Sequence, residues 1–137
     1  GTYYLNGYMH HPLASTFTGA APKVVVAAQP TFAIEPPKQQ TYTVGSTVAI
    51  KWTAGNVLAG STLSLCVDHD GTYNSGDEVW LTTRAIVVGN GSGSYAWNTS
   101  GYQTGYYRIG GYIHHPITDT YSSVWQLVQL LPKFPPW

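Results

Sequence analysis

The sequence predicts an all-β fold, and three observations lead to this prediction. No stretch of the 137 residues shows a sustained apolar period of 3.6 residues, the period of an amphipathic helix. Apolar and polar residues instead alternate with a period of two between clusters of turn-forming residues, as they do in half-buried strands. The opening residues recur near the other end of the chain, which indicates a repeated unit of about the size of one sandwich domain.

The repeat relates residues 1–12 to residues 105–116, an offset of 104 residues. Identical pairs are Gly1/Gly105, Tyr3/Tyr107, Gly7/Gly111, Tyr8/Tyr112, His10/His114, His11/His115 and Pro12/Pro116. The similarity continues through residues 16–17 against 120–121 and, with a shift of two residues, through residues 24–32 against 126–134. We expect the first segment to be the end of a unit, in a chain cut from an array of units or built to join one.

This repeat divides the chain into three predicted parts. Residues 1–29 form an N-terminal strand pair, the end of a repeat unit and a candidate docking arm. Residues 30–38 are rich in proline, which cannot donate to a sheet ladder, so they are predicted to be an extended linker or an edge strand. Residues 39–137 form the sandwich domain.

The strands of the domain follow from the alternation of apolar residues. One face of the first long strand carries Val48, Ile50 and Trp52, and one face of the next carries Leu63, Leu65 and Val67. One or two strands follow at residues 79–81 and 85–88, and Asn90-Gly91 marks a tight turn before a strand at 95–97. In the repeated strand the core face is predicted to carry Tyr107, Ile109, Gly111 and Ile113, and the last strand spans residues 124–131.

About seven or eight short strands at this spacing predict an immunoglobulin-like antiparallel β-sandwich, with an extra N-terminal two-strand segment that repeats the last two strands of the domain. Residues 45–55, 61–65, 93–97 and 105–109 resemble the immunoglobulin-like and fibronectin-like tandem repeats of bacterial surface proteins. They are also similar to the Kre9/Knh1-type domain of fungal wall proteins. The resemblance covers about residues 30–131 and implies an extracellular, structural or adhesive role without catalytic residues.

The charge balance disfavours several classes of function. Six basic residues cancel six acidic ones, so no long-range positive field would attract nucleic acid or an anionic membrane surface. No apolar run approaches the ~18 residues of a membrane-spanning helix. Four of the six acids crowd into one loop, and no Gly-x-Ser-x-Gly motif is present. The sequence therefore predicts a protein that is not an enzyme. The single cysteine, Cys66, is predicted to be a buried or half-buried apolar residue.

The acidic loop allows two interpretations, and no cofactor is predicted to be required. Its oxygen-bearing side chains are candidate calcium ligands: Asp68, Asp70, Asn74, Asp77 and Glu78. Their spacing is not that of an EF-hand, and the alternative is a solvated hairpin loop that uses these residues for turn formation.

The two His-His-Pro motifs raise the question of a transition-metal site. Adjacent residues of a strand point to opposite faces, so His114 and His115 are not expected to share one ion. We expect His10 and His114 to lie at the surface, and His11 and His115 to end their strands.

Candidate sites for glycans are of two kinds. Asn90 and Asn98 each begin an N-glycosylation tripeptide and are predicted to lie in turns. Aromatic side chains that could stack on sugars, or pack against a neighbouring subunit, are Tyr4, Tyr8, Tyr102, Tyr106, Tyr112 and Trp137.

The repeated segment supplies the functional hypothesis. A lone strand pair leaves an apolar face uncovered and backbone groups unpaired. The residues expected to mediate assembly are Tyr3, Leu5, Tyr8, Met9, Val24, Val25 and Val26. We expect a structural subunit of an extracellular filament or cell-surface fibre, whose partners are copies of itself or adjacent repeats joined head to tail. The alternative is a carbohydrate-binding or adhesive module of a larger secreted or cell-wall protein, with glycans as partners.

Overall fold

The computed structural model describes residues 1–10, 12–13, 15–17, 19, 22–26, 28–116 and 118–134. Within these residues there is no helix, and therefore none long and apolar enough to cross a membrane. The described strands are β1 (Thr2–Tyr4), β2 (Tyr8–His10), β3 (Ser15–Phe17), β4 (Lys23–Val25), β5 (Thr31–Ile34), β6 (Thr41–Thr43), β7 (Thr47–Gly55), β8 (Thr62–Asp68), β9 (Val79–Val87), β10 (Gly91–Asn98), β11 (Gly105–His114), β12 (Thr120–Tyr121) and β13 (Gln126–Leu131).

Strands β5 to β13 form two sheets in a β-sandwich-like arrangement, which confirms the predicted all-β fold. One sheet has the strand order β10-β7-β5. The other has the order β6-β13-β11-β8-β9, and β12 pairs with the far end of β11. The described pairs are antiparallel except that β6 runs parallel to β13.

The core lies between the two sheets, on the faces that the alternation predicts. In β7 every second residue is buried, from Val48 through Ile50 to Trp52. The facing sheet contributes Leu63, Leu65, Val67, Tyr107, Ile109, Ile113, Val128 and Leu130. Each large apolar side chain buried in this way stabilises the fold by about 1.5–3 kcal/mol.

Three element boundaries are more definite in the structure than in the sequence. Of the two interpretations of residues 30–38, the edge strand describes β5, which pairs with β7 and buries Phe32 and Ile34. The segments at 79–81 and 85–88 are parts of one strand, β9, whose register with β8 shifts between Leu63 and Leu65. The last strand begins at Gln126 rather than at residue 124.

The N-terminal segment pairs its strands in the same register as the end of the domain. Tyr3 lies opposite Val24 as Tyr107 lies opposite Val128, and Tyr8 lies opposite Phe17 as Tyr112 lies opposite Tyr121. The offset of 104 residues holds for each of these positions. The register extends through Val26, whose N–H donates to the carbonyl of Gly1 at 2.8 Å, the counterpart of the Gly105–Leu130 pair. The two-residue shift inferred from the sequence therefore does not begin at residue 24.

Candidate functional site

The N-terminal segment exposes the side chains that its sequence marks as apolar. The exposed fractions are 58% for Tyr3, 58% for Leu5, 52% for Tyr8, 63% for Met9, 37% for Val24 and 55% for Val26. The side chain of Val25 lies outside the part of the chain that the structure describes, although its backbone pairs with that of Thr2. An exposed set of this size is unusual for a soluble domain, since large apolar side chains usually find cover.

Five of these six side chains have buried counterparts at the other end of the chain; the exception is Tyr8, whose counterpart Tyr112 is half-buried. Tyr107, Ile109 and Ile113 are 4%, 1% and 0% exposed, and they correspond to Tyr3, Leu5 and Met9. By the register of the strands, Val24 and Val26 correspond to Val128 and Leu130, which are 0% and 1% exposed. The two copies therefore carry the same kind of core face, and one of them is uncovered.

As far as the structure describes it, the N-terminal copy also has no neighbour along one strand edge. In the domain, β11 pairs with β13 on one side and with β8 on the other. In the N-terminal copy, β1 pairs with β4 and β2 pairs with β3, and within the described residues the edge that would meet a β8 carries no strand. Unpaired strand edges readily accept a further strand.

A short connection joins the segment to the domain. The side-chain amide of Asn56 donates to the carbonyl of Gln29 at 3.0 Å, which holds the connection against the β7–β8 turn. A pocket of about 360 Å³ lies beside it, lined by Gly1, Thr2, Val26, Ala28, Asn56, Val57 and Leu58. None of the described lining residues has a charged side chain.

The acidic loop brings together three of the five candidate calcium ligands. Carboxylate oxygens of Asp68, Asp70 and Asp77 lie within 4.8 Å of one another. Glu78 is not in this group; its carboxylate accepts hydrogen bonds from the N–H groups of Ser75 and Gly76 at 2.9 and 3.0 Å. Asn74 is exposed and has a φ of 63°, which is a turn conformation.

Asp68 also organises the loop by itself. The residue is 1% exposed, and its Oδ2 accepts hydrogen bonds from the N–H groups of Gly71 and Thr72 at 2.8 and 3.0 Å. Burial raises the pKa of Asp68, and the neighbouring Asp77 raises it further. The hydroxyl of Ser75 donates to Asp77 and lowers the pKa of that carboxyl group. The loop thus has the hydrogen-bonded form of the turn interpretation together with a cluster of carboxylates.

The outer face of the larger sheet is covered by aromatic rings that the sequence did not single out together. Tyr73 packs against Trp125 and Tyr121, with ring centroids 4.3 and 4.8 Å apart. Tyr112 stacks on Tyr121 at 4.6 Å, and Trp80 meets Tyr112 edge-on at 5.8 Å. We call this set, Tyr73, Trp80, Tyr112, Tyr121 and Trp125, the aromatic layer. A signal for it was present in Gly110-Gly111, since a glycine pair within a strand marks a close approach.

Beneath the aromatic layer lies a buried polar group. The hydroxyl of Ser64 is 2.8 Å from Nε2 of His114, and Nδ1 of His114 is 3.7 Å from a carboxylate oxygen of Asp119. The order Ser, His, Asp is that of a nucleophilic triad. Ser64 is fully buried and accepts a hydrogen bond from the N–H of Arg84 at 3.1 Å. A hydroxyl so enclosed does not meet a substrate in this conformation, and it serves to join β8, β9 and β11.

The prediction that His114 lies at the surface was wrong. Its side chain is 8% exposed, because the aromatic layer and Asp119 lie over it. His115 follows the end of β11 and is also buried, at 6% exposed. The side chain of His10 and the whole of His11 lie outside the described part of the chain. Cys66 is buried as predicted, and burial raises the pKa of its thiol to about 12.

Both candidate glycosylation residues are exposed. Asn90 lies in the turn between β9 and β10, and its side-chain oxygen accepts a hydrogen bond from the N–H of Val57 at 2.8 Å. Asn98 is the last residue of β10 rather than a turn residue, and its side-chain oxygen accepts a bond from Ser100 at 2.9 Å. Of the aromatic candidates, Tyr4 and Tyr106 are exposed, Tyr102 and Tyr112 are half-buried, and Trp137 lies outside the described residues.

No family model matches the chain, and no curated protein matches it. Among solved structures, it is similar to an engineered protein known from a crystal structure, with 15% sequence identity and a TM-score of 0.44. That match covers 77% of this chain and 21% of the engineered protein, so the chain spans about a fifth of that protein. A likeness this distant carries no information about function.

Proposed function

We propose that the protein is a structural repeat or subunit of an extracellular filament or cell-surface fibre, joined head to tail when residues 1–29 dock on a neighbouring module. The observation that carries the proposal is the pair of matched faces. Tyr3, Leu5 and Met9 are more than half exposed, whereas the equivalent Tyr107, Ile109 and Ile113 are buried. Covering such side chains yields about 1.5–3 kcal/mol each, so a neighbour that provides cover binds favourably.

The immunoglobulin-like part of the proposal is supported by the strand order. Strands β5, β7 and β10 correspond to strands A, B and E of such a sandwich, and β8, β11 and β13 correspond to C, F and G. Strand β9 then takes the place of an additional strand beside C. Modules of this kind tolerate variation in their loops, and their ends are suited to joining in series.

Head-to-tail docking accounts for growth into a fibre. The docking surface lies in residues 1–29 and the accepting surface lies in a module, so the contact joins two different patches. A contact between different patches builds an open filament wherever its rotation does not close a ring. The low charge of the chain, 9% of its residues, keeps like-charge repulsion between successive modules small.

Light scattering combined with negative-stain electron microscopy tests this proposal. We expect the native chain to form filaments, and both deletion of residues 1–29 and the double substitution L5D/M9D to leave monomers. Tyr4→Arg is the matched control, because Tyr4 is 64% exposed on the opposite face and its counterpart is Arg108. The proposal fails if assembly is unchanged after the deletion.

A carbohydrate-binding or adhesive module is the second candidate, and the aromatic layer favours it. Trp80 and Tyr121 are 38% and 44% exposed, and exposed rings of this kind can stack on sugar rings while their polar atoms bind hydroxyl groups. This function predicts a monomer. A titration of oligosaccharides monitored by tryptophan fluorescence, with Trp80→Ala as the comparison, distinguishes it from the first proposal.

A further inference from the structure

We infer that residues 1–26 dock by taking the place of β11–β13 in a module other than the one that follows them in the chain, with β1 and β2 paired to that module's equivalent of β8. This inference rests on the proposed function and specifies its partner. The partner is the half-sandwich formed by residues 30–104 of a second copy, whose β8 edge becomes available when its own β11–β13 are displaced.

The first argument is the register. A segment that packed in some other way would have no reason to keep the strand pairs of β11–β13, yet the constant offset holds for β1–β4 and for β2–β3. Applied to the pairs between β11 and β8, the same offset places Leu5, Gly7 and Met9 opposite the partner's equivalents of Val67, Leu65 and Leu63. The docked segment would therefore pair with the three apolar residues of β8 that face the core.

The second argument is the glycine at position 7. A Cβ at Gly111 would lie 2.6 Å from the carbonyl oxygen of Ser64 and 2.9 Å from the side chain of Leu65, so β8 excludes any side chain there. At Gly7 the described chain places no atom within 4 Å of a Cβ, and the backbone does not require a glycine. A partner strand equivalent to β8 supplies the close approach that makes a glycine necessary at this position.

The third argument excludes docking on the following module of the same chain. In the docked position Val26 would lie where Leu130 lies, beside Tyr42 at the end of the sandwich where β7 begins. Thr31 lies opposite Gly55 at the other end of β7, about 26 Å away at ~3.3 Å per residue. The connection from residue 26 to residue 31 spans at most about 18 Å. The connection therefore cannot reach the docked position within one chain.

An extended chain that supplies the missing half-sandwich tests the inference. A second copy of residues 30–104 is joined directly before Gly1, because Thr104 is followed at the matching position by Gly105. We expect backbone amides in residues 2–9 to exchange with deuterium at least about 100-fold more slowly than in the 137-residue chain. Equal exchange rates in the two chains overturn the inference.

Two substitutions make the test specific to the register. Gly7→Val in the extended chain should abolish the protection of residues 2–9 and leave that of the final module unchanged. Gly19→Val is the matched control, because no described atom lies within 4 Å of a Cβ at Gly19, and it should keep the protection. Protection that survives Gly7→Val overturns the inference, while the docking function stands or falls separately on the deletion of residues 1–29.

A variant of the 137-residue chain gives a second test that does not depend on folding of the added copy. Ile113→Asp places a carboxylate in the core and disables β11 of the chain's own module. Residues 1–26 of another molecule are then the remaining copy with the right register. We expect oligomers by light scattering that Gly7→Val converts to monomers. Monomers of the I113D chain, folded or unfolded, overturn the inference.

Discussion

The ring of Trp125 fills the space directly over Gly110: a Cβ on that glycine would come within 2.2 Å of the indole. Gly110 lies in the middle of β11 and pairs with Cys66 of β8, so neither strand can move away without breaking the sheet. Trp125 in turn packs against Tyr73, whose hydroxyl donates to the carbonyl of Gly111 and accepts from its N–H, both at 2.9 Å. The close approach thus fixes the aromatic layer to the sheet.

Gly110→Ala should therefore destabilise the module by about 1–3 kcal/mol, the usual cost of forcing extra volume into a packed site. Denaturant unfolding followed by tryptophan fluorescence measures the change. Gly89→Ala is the matched control, because no described atom lies within 4 Å of a Cβ at Gly89. Equal midpoints for the two variants would contradict the close packing of Trp125.

Stability should fall as the pH is lowered through the range where histidine titrates. Burial lowers the pKa of His114, Arg84 lowers it further, and Asp119 opposes this change. The unfolded chain then binds more protons than the folded one from about pH 6.5 down to the folded pKa, so the free energy of unfolding decreases over that interval. His114→Gln should remove this part of the pH dependence in urea titrations at a series of pH values. Asp119→Asn, which removes the opposing charge, should lower the folded pKa of His114 further, so that the loss of stability still begins near pH 6.5 but becomes larger and extends to lower pH.

Removal of one carboxylate from the acidic loop should change the melting temperature of the protein. Asp77 lies beside the buried Asp68 and raises its pKa, so Asp77→Asn should raise the melting temperature in EDTA at neutral pH by relieving like-charge repulsion. Addition of millimolar calcium distinguishes the two interpretations of the loop. A rise in the melting temperature of the native chain that Asp77→Asn abolishes supports calcium ligation. No rise supports the turn interpretation, and a lower melting temperature of the variant in EDTA would contradict the repulsion.

Equivalent substitutions in the two copies should affect different properties. In the domain the substitution should lower the stability of the fold, and in the N-terminal segment it should weaken assembly. Ile113→Ala should cost about 2–5 kcal/mol of stability, because it opens a cavity in the core. Met9→Ala should change the stability of the isolated chain by less than about 0.5 kcal/mol, because Met9 is 63% exposed there. Assembly measured by light scattering should nevertheless weaken for Met9→Ala. A large loss of stability in that variant would show that Met9 is already covered.

The strands of the core could be predicted from the sequence because their apolar residues alternate with polar ones. Val48, Ile50 and Trp52 in β7 and Leu63, Leu65 and Val67 in β8 occupy the predicted face, and the recurrence of residues 1–12 pointed to the uncovered copy. Such patterns are local, so they need no knowledge of the tertiary structure.

The outer face of the larger sheet could not be predicted in the same way. Ser64 and His114 have the spacing of solvent-facing residues, yet they are buried. Tyr112 packs against His114, and the loop residues Tyr73 and Trp125 cover the same sheet at Gly111 and Gly110. Loop segments have no period, and nothing in their composition specifies which sheet face they cover. For the same reason the sequence predicted a cluster of Asp68, Asp70 and Asp77, but it did not predict that Asp68 is buried and bonded to the loop backbone.

The parallel pairing of β6 with β13 determines how the module bears mechanical load. Gln129, Leu130 and Leu131 lie alongside Thr41, Tyr42 and Thr43, and the ladder is extended by bonds from Gln129 N–H to the Gln40 carbonyl and from Val44 N–H to the Leu131 carbonyl. A pull that separates the start of the module from its end slides these strands past each other. The hydrogen bonds are then strained together rather than opened one after another. Tension that is transmitted past β5 is thus met by a shear-loaded clamp.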